Sequence, residues 1–367
     1  MTFPFKWIGA AISSLVFAVA IVQAAPVAPV LVRPALQTKL ASRSVLIDIS
    51  RAGKRLVAVG ERGIVITSDD NGESWHQSSV PVSVTLTAVR FVDEHHGWAV
   101  GHSGVVLHSD DGGLTWIKQL DGEQVSRLLM EDATRAGSAS RGNTEDALRI
   151  ARQFASDGPD KPFLNLCFTD DSHGFVVGAY GLIFRTIDGG RSWQPWLGHV
   201  ENPKGLNLYS IQAEGDVLYL AGESGYFARS DDGGASFNRI ATPRNASYFA
   251  MQVIPHGGVV LAGLGGSAFA SSDQGNSWQK LESGGATSIS ALVLLDDGRL
   301  VLANQAGELA VRGNGLQRTE PLATIASRSV NGIVHAEGGR LVAVGFRGVG
   351  VFDEATHAAA ALQGENK

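Results

Sequence analysis

The 367-residue sequence predicts an all-β protein, a seven-bladed β-propeller, on the strength of three observations. A short turn motif occurs five times, a glycine-centred pair of apolar strands occurs seven times, and most copies are spaced by 41 residues. Repeats of this length indicate one structural unit per repeat, stacked on its neighbours. Four short strands in such a unit are the content of one propeller blade.

The turn motif is an Asp-box, also called a BNR repeat, with the pattern Ser/Thr-x-Asp-x-Gly-x-x-Trp/Phe. Its carboxylate can accept hydrogen bonds from backbone N–H groups of its own turn, and its aromatic ring can pin the turn between strands. We interpret it as a folding device rather than a calcium loop, which needs oxygen ligands at alternate positions. The aspartates are Asp70, Asp111, Asp188, Asp232 and Asp273, and the aromatic residues are Trp75, Trp116, Trp193, Phe237 and Trp278.

The second pattern is Gly-x-x-Gly between two apolar strands, and it marks all seven units. Asn replaces Gly at the first position of the sixth unit, and both residues tolerate positive φ, so we expect a left-handed backbone there. Units six and seven keep this strand pair but lack the Asp-box. The first positions are Gly60, Gly101, Gly178, Gly222, Gly263, Asn304 and Gly345.

The first and seventh units match each other closely. Residues 41–45 recur as 326–330, and residues 55–60 recur as 340–345, both 285 positions later. We therefore expect these two units to be neighbours in the closed ring. The seventh unit has no clear outer strand, and either Leu36–Leu40 or Ala358–Gln363 can supply one.

A helical insertion is predicted between blades 2 and 3, where the repeat interval rises to 77 residues. The extra residues lie at about 122–159 and contain two apolar stripes at helical spacing. Such a hairpin acts as a cover or docking element, and a neutral insertion is the alternative. The first stripe is Val125, Leu128 and Leu129, the second is Leu148, Ala151 and Ala155 widened by Ile150 and Phe154, and the second helix has Asn143 or Thr144 as its N-cap.

The N-terminal segment of the chain suggests export. Lys6 is the only charge before the apolar run from Trp7 to Val22, and small residues follow, which is typical of a signal peptide cleaved after Ala24. A retained membrane anchor is the alternative. We therefore divide the chain into a signal peptide (1–24), an extended leader (25–40), the propeller (41–353) and a tail (354–367) that can help to close the ring. The expected location is the periplasm, a lumen or the extracellular space, with membrane association possible.

Composition and motifs argue against several classes of function. The net charge of −6 and the lack of a basic stripe argue against a nucleic-acid partner. Cys167 is the one cysteine, and we interpret it as a small buried side chain. His95, His96 and His173 fall in equivalent turns rather than in a metal-binding arrangement. No phosphate loop or nucleophile elbow is present, so we predict no metal, cofactor or catalytic residue.

Strand direction assigns the sequence features to two faces of the ring. The turns between second and third strands lie on one face, with the starts of the inner strands and the insertion, and the Asp-boxes lie on the other. Arginine suits recognition of carboxylate or phosphate groups, so we predict partner binding on the first face, with rim solvation or capping of carboxylates as the alternative. The candidate residues are Arg43, Arg62, Arg328, Arg347, Tyr180 and His102.

These motifs together resemble the family of photosystem II stability and assembly factors. The resemblance rests on the Asp-boxes, the Val-Gly-x-x-Gly repeats, and the segments Phe91-x-Asp93-x-x-His96-Gly97 and Phe168-x-Asp170-x-x-His173-Gly174, and it covers roughly residues 41–352. It implies a non-enzymatic, lumenal or periplasmic scaffold that binds a partner protein and helps a membrane complex to assemble. It also implies an arginine-rich patch, which the four arginines would parallel, and no cofactor.

An Asp-box glycoside hydrolase of the sialidase type, or a carbohydrate-binding propeller, is the rival interpretation. The arginines and Tyr180 fit part of a sialidase site. The early Phe/Tyr-Arg-Ile-Pro segment of sialidases is missing, seven blades disagree with their six, and Glu223 has no evident carboxylate partner for hydrolysis.

Overall fold

The computed structural model describes residues 29–138, 144–313, 319–324 and 329–353. The predicted signal peptide, the predicted C-terminal tail and Arg328 lie outside these ranges. The described residues form seven antiparallel sheets, six of four strands and one of three, with two helices inserted between the second and third sheets. The predicted fold class, a seven-bladed propeller with a helical insertion, is confirmed.

The blades are numbered in chain order, and each is built from the centre of the ring outward. Blade 1 contains β1 (Leu46–Ala52), β2 (Arg55–Gly60), β3 (Val65–Ser68) and β4 (His76–Gln77). Blade 2 contains β5 (Leu86–Phe91), β6 (Gly97–Gly101), β7 (Val106–Ser109) and β8 (Ile117–Leu120). Blade 3 contains β9 (Phe163–Phe168), β10 (Gly174–Gly178), β11 (Ile183–Thr186) and β12 (Gln194–Pro195).

The remaining blades follow the same plan. Blade 4 contains β13 (Leu208–Glu214), β14 (Val217–Gly222), β15 (Phe227–Ser230) and β16 (Asn238–Arg239). Blade 5 contains β17 (Tyr248–Ile254), β18 (Gly258–Gly263), β19 (Ala268–Ser271) and β20 (Gln279–Lys280). Blade 6 contains β21 (Ile289–Leu294), β22 (Leu300–Asn304), β23 (Glu308–Arg312) and β24 (Glu320–Thr324), and blade 7 contains β25 (Gly332–Ala336), β26 (Arg340–Gly345) and β27 (Gly348–Asp353).

The ring closes by contact between blade 7 and blade 1. Each inner strand contacts the inner strand of the next blade, and β25 contacts β1. The Asn331 side-chain amide donates a hydrogen bond to the Leu46 carbonyl at 2.9 Å. Buried Leu46 and Ile49 of blade 1 pack in one cluster with Val342 and Val344 of blade 7. The core is thus divided among the junctions between blades, where flat sheets bury their apolar faces against each other.

The first glycine of each Gly-x-x-Gly turn serves a different purpose from the predicted one. Gly60 and Gly222 have φ of −166° and −164°, so the expected left-handed backbone at this position is wrong. A β-bulge in the inner strand instead brings a carbonyl against the glycine. A Cβ on Gly222 would lie 2.2 Å from the Asn207 carbonyl oxygen. The left-handed backbone falls instead on the third and fourth positions, such as Ser224 and Gly225 with φ of 52° and 74°.

At the same position of blade 6, Asn304 contributes hydrogen bonds of its side chain rather than a left-handed backbone. Asn304 does not have a positive φ. Its Oδ1 accepts hydrogen bonds from the backbone N–H groups of Ala306 and Glu308, at 2.9 and 3.0 Å. The amide therefore caps the turn of blade 6.

The insertion is a helical hairpin of α1 (Gly122–Ser138) and α2 (Thr144–Asp157). Buried residues of both helices join the apolar cluster between blades 2 and 3, which includes Trp98 and Phe163. Ala155 is exposed, contrary to the predicted stripe, because α2 turns the larger Phe154 inward beside Ala151. Thr144 is the first residue of α2, and Asn143 lies outside the described residues. The inward-facing residues are Val125, Leu129, Ala133, Ala151 and Phe154.

The leader runs along the outer edge of blade 1. Thr38 N–H donates to the Gln77 side chain at 2.8 Å, and the Gln37 side chain donates to the Ser78 carbonyl at 3.1 Å. Leu36–Leu40 therefore lies beside blade 1 and is not an outer strand of blade 7. The alternative segment, Ala358–Gln363, falls outside the described residues.

Replacing Gly222 tests the close approach at the bulge. We expect Gly222→Ala to lower the free energy of unfolding by on the order of 2 kcal/mol, because the added methyl group overpacks the bulge. Gly222→Asn should cost at least as much, since the backbone there is extended. Gly198→Ala is the control, because a Cβ at this position meets nothing within 4 Å. Urea denaturation measures all three, and a stable Gly222→Asn variant would contradict the steric explanation.

Candidate functional site

The Asp-box carboxylates are engaged within their own turns. Asp232 Oδ1 accepts hydrogen bonds from the Ser230 hydroxyl at 2.6 Å and the Ser236 N–H at 2.9 Å, and its Oδ2 accepts from the Ser236 hydroxyl at 2.7 Å. The Ser230 hydroxyl in turn accepts from Gly234 N–H. These bonds, led by the one from Ser230, lower the pKa of Asp232 to about 2. The carboxylate closes the turn between the third and outer strands.

The other four Asp-boxes repeat this arrangement. In each, the aspartate accepts a hydrogen bond from the hydroxyl of the first residue of the motif. It also accepts hydrogen bonds from the backbone N–H and the hydroxyl of the residue before the aromatic. The bonds involve Asp70 with Ser68 and Ser74, Asp111 with Ser109 and Thr115, Asp188 with Thr186 and Ser192, and Asp273 with Ser271 and Ser277.

The Asp-box aromatic rings pack at the junctions between blades. Trp116 is 5% exposed in the cluster between blades 1 and 2, and its indole N–H donates to the Gly113 carbonyl at 3.0 Å. Phe237 of blade 4 meets Phe175 of blade 3 edge-to-face, with ring centroids 5.9 Å apart. Trp75 makes the same indole bond, to Gly72, and Trp193 and Trp278 meet Phe168 and Phe227 edge-to-face.

The histidines in the turns between first and second strands are held by local carboxylates. Asp93 Oδ1 accepts the N–H of His96 at 2.6 Å, and Asp170 Oδ1 accepts the N–H of His173 at 2.7 Å. Both histidine rings contact the same carboxylates. Within the described ranges, no group of three or more His, Cys, Asp or Glu side chains is arranged to hold a metal ion.

On the opposite face, the turns between second and third strands hold two bulky residues in a strained backbone. Arg62 and Tyr180 have φ of 53° and 58°, while Ser103, Ser224 and Gly265 occupy the equivalent positions of blades 2, 4 and 5. The left-handed region is unfavourable for large L-residues. Such strain clusters at functional sites, and here it presents two large side chains to solvent.

Two of the predicted arginines, Arg43 and Arg347, border the junction of blades 7 and 1, and Arg62 lies in the turn of blade 1 that contacts β5 of blade 2. Arg43, Arg62 and Arg347 are exposed, and in the described part of the chain none forms an ion pair. Arg43 ends a short turn (Ala41–Arg43) that contacts β27, close to Gly348. Glu61, beside Arg62, accepts the Val45 N–H at 3.1 Å and ties that turn to the start of β1. Arg328 lies outside the described residues.

Tyr180 and His102 form a separate group beside the insertion. The Tyr180 side chain is 59% exposed, and its ring meets the Phe154 ring of α2 edge-to-face at 6.2 Å. The turn that contains His102 contacts α1. The six predicted residues are therefore not one cluster. Arginines lie at blades 7 and 1, and Tyr180 and His102 lie at blades 2 and 3.

A central channel runs through the ring, and the sequence patterns did not predict it as part of the site. It is a cavity of about 650 Å³ lined by inner strands of all seven blades. Tyr209 and Phe249, the second residues of β13 and β17, have ring centroids 5.5 Å apart. Phe346, next to Arg347, lines the channel while 64% exposed. The signal available in the sequence was the aromatic residue at the same position of two successive units.

Polar side chains in the channel bind neighbouring blades together. Asp48 of blade 1 accepts the Val89 N–H of blade 2 at 3.0 Å and pairs with Arg90. Gln212 of blade 4 accepts the Val253 N–H of blade 5 at 2.8 Å. Thr87 donates to the Phe163 carbonyl of blade 3 at 2.7 Å. Inner strands of adjacent blades do not form a common sheet, so these side chains join them.

Two further residues have local structural roles. Glu223, considered for a hydrolase site, accepts the Asn207 N–H at 3.2 Å, as Glu61 does for Val45 in blade 1. Cys167 is partly buried against the cluster between blades 3 and 4, and burial raises the pKa of its thiol to about 11.

Comparison with known proteins adds a sequence family to this fold. The family described as Photosynthesis system II assembly factor YCF48 matches residues 67–132 and 158–309, which is more than half of the chain. The chain belongs to this family. The two matched segments are separated by residues 133–157, which contain the end of α1 and all of α2, so α2 lies outside the part that matches the family.

Related YCF48 proteins match in sequence over a short stretch and in structure over most of the ring. A photosystem II assembly lipoprotein Ycf48 from Synechococcus sp. (strain CC9902) is 38% identical over 77 residues, 21% of this chain and 23% of the relative. The chain thus spans less than a quarter of the length of that curated relative. Two solved structures match the fold. "YCF48 bound to D1 peptide" has a TM-score of 0.62 and 17% identity over 87% of this chain and 98% of that one. "YCF48 from Cyanidioschyzon merolae" has a TM-score of 0.61 and 18% identity over 86% of this chain and 97% of that one.

The relative is named a lipoprotein, a name consistent with export and membrane association. Among the described residues, neither helix combines the length and the apolar character that crossing a membrane requires.

Removing one Asp-box carboxylate tests whether its hydrogen bonds within the turn stabilise the blade. We expect Asp232→Ala to lower the free energy of unfolding by about 1 kcal/mol, the usual cost of losing a side-chain cap. Asp216→Ala, an exposed aspartate of the same blade, should change it by less than about 0.5 kcal/mol. Urea denaturation followed by tryptophan fluorescence measures both, and equal effects would contradict the assignment.

Acid should weaken the fold through the same carboxylates. A carboxyl group whose pKa is lowered on folding stabilises the folded state above its unfolded pKa, and this contribution is lost as the pH falls through the folded pKa. For Asp70, Asp232 and Asp273 the window runs from 3.8 to about 2. The free energy of unfolding should fall across this window, and less steeply when all three residues are Asn. Identical pH profiles of the wild type and the triple variant would contradict the lowered pKa values.

Proposed function

We propose that this protein is an exported, non-catalytic scaffold that binds a segment of a partner protein on the insertion face of the ring and aids assembly of a membrane complex. The observation that carries the proposal is the set of three exposed arginines on this face, with Arg43 and Arg347 at the junction of blades 7 and 1 and Arg62 in the turn of blade 1 that contacts blade 2. Arg43, Arg62 and Arg347 have no carboxylate partner in the described part of the chain. Membership of the YCF48 family supports an assembly role.

The chemistry of the site favours a partner segment with a carboxylate and an apolar side chain. Guanidinium groups bind carboxylates through two parallel hydrogen bonds. Phe346 adjoins Arg347, and the aromatic mouth of the channel lies beside it, lined by Tyr209 and Phe249. A partner residue of mixed character would place its apolar part on these rings and its charge on the arginines. A solved relative is described as bound to a D1 peptide, and a peptide ligand suits this surface.

The insertion extends the binding surface toward blades 2 and 3. Tyr180 is a rigid, exposed aromatic residue, and such residues are enriched at energetically important interface positions. Its ring leans on Phe154, so the hairpin fixes one side of it. Tyr180 and His102 therefore form a second contact area, on blades 2 and 3, and the hairpin adapts the family scaffold to its own partner.

Charge reversal at the arginines tests this function. Tagged wild type and Arg62→Glu/Arg347→Glu are expressed in the native host, crosslinked and recovered from membrane extracts. Loss of hydrogen-bonded charge pairs should reduce recovery of the partner by about tenfold or more. Lys54→Glu/Lys280→Glu makes the same change in charge at exposed residues away from this surface, with Lys54 in the turn between β1 and β2 on the opposite face, and should recover as much partner as the wild type.

Two results would count against the proposal. Unchanged recovery with the arginine variant would remove the arginines from the interface. An equal loss of partner recovery with the lysine variant would show that the effect depends on net charge and not on these arginines. All variants should keep the thermal midpoint of the wild type, because every substituted side chain is exposed.

A further inference from the structure

The leader has one side turned into the ring and one side turned to solvent. Leu31 and Ala35 pack against the apolar cluster between blades 1 and 2. Val30, Val32, Leu36 and Leu40 point outward and are 40%, 63%, 80% and 59% exposed. Of the eleven large apolar side chains exposed in the described part of the chain, four therefore lie in this one short segment. Contiguous exposed apolar surface marks interaction sites.

The leader backbone is held firmly to the rim. Ser83 N–H donates to the Val30 carbonyl at 2.9 Å, and Ala35 N–H donates to the Val80 carbonyl at 3.0 Å. The Lys118 ammonium reaches from blade 2 to the Leu31 carbonyl at 3.2 Å. Chain ends that are not tied down usually fray. This one is tied at several points, so its apolar side chains are displayed in a fixed arrangement.

The charge around this surface is basic. Residues 29–40 contain Arg33 and Lys39 and no acidic residue. The nearby carboxylate of Asp121 is 8% exposed and pairs with Lys118 at 2.7 Å, so it contributes no free negative charge. Apolar side chains interspersed with basic ones are the composition that binds the interface of a membrane with anionic lipids.

The sequence upstream indicates what covers the leader. When the apolar run from Trp7 to Val22 is retained as a membrane anchor, the alternative given above, only six residues lie between its end at Val22 and Pro29. Such a stretch can span at most about 25 Å. We propose that the outward side of the leader lies on the membrane surface against anionic phospholipid, with the rim of blades 1 and 2 turned toward the bilayer. This also brings the arginines of blades 7 and 1 close to membrane proteins, although it does not depend on the partner proposed for them.

Fluorescent labels at single cysteines test this contact. The full chain, with Cys167→Ala as background, is reconstituted in vesicles of phosphatidylcholine and phosphatidylglycerol. An environment-sensitive dye is attached to Val32→Cys or Leu36→Cys, and to the controls Ile187→Cys and Leu264→Cys, which are 55% and 51% exposed elsewhere on the ring. We expect emission at 32 and 36 to shift to the blue, with quenching by spin-labelled lipid at least about threefold stronger than at the controls.

A second variant separates the leader surface from the upstream apolar run. Val30→Ser/Val32→Ser/Leu40→Ser should abolish the blue shift at Leu36→Cys, because the apolar contact with the lipid is lost. The variant should stay folded, since the substituted residues are exposed. It should also stay on the vesicles, because the upstream apolar run is unchanged. Equal emission at all four label positions would overturn the proposal. So would a blue shift without lipid that grows with protein concentration, because a second copy would then cover the leader.

Discussion

The packing of the seventh blade on the first is the contact on which the whole ring depends. Every blade has an apolar surface on both sides, so a row of seven would leave two such surfaces in water. Closure buries both, with Leu46 and Ile49 against Val342 and Val344. The backbones approach so closely that a Cβ on Gly348 would lie 2.0 Å from the Ser42 carbonyl oxygen. This same junction displays the exposed Arg43 and Arg347, so fold closure and part of the proposed binding surface share one region.

The two faces of the ring differ in their structural role and in the binding role that we propose. On one face, the Asp-box carboxylates and the Asp-x-x-His turns satisfy the backbone of their own loops, which leaves them little capacity for a ligand. On the other face, large side chains occupy a strained backbone at Arg62 and Tyr180. The repeated features hold the blades, whereas departures from the repeat, namely the two bulky turn residues and the insertion, differ from blade to blade and give this face its own chemistry.

Repeat spacing was sufficient to predict the blades, their order, the ring neighbours and the helical insertion, because each depends on local patterns that recur. It was not sufficient for contacts made between strands of one blade or between blades. The glycine of the Gly-x-x-Gly turn was assigned to positive φ, since the carbonyl that crowds Gly222 comes from a different strand. The channel bond from Asp48 to Val89 links residues of two blades, and nothing local marks it. The candidate residues were assigned to one face without a grouping of Tyr180 and His102, because the strand pattern gives the face of a residue but not its distance from another around the ring.

Site-specific photocrosslinking in the native host tests most directly whether the insertion face is the binding face. A photoreactive amino acid replaces Phe346 at the channel mouth, or Ile187 in an Asp-box turn on the opposite face, both of which are exposed. Irradiation should join position 346 to a membrane-complex subunit and leave position 187 without a specific adduct. An adduct from position 187 alone, or the same adduct from both positions, would contradict the proposal that the partner binds on the insertion face and not on the Asp-box face.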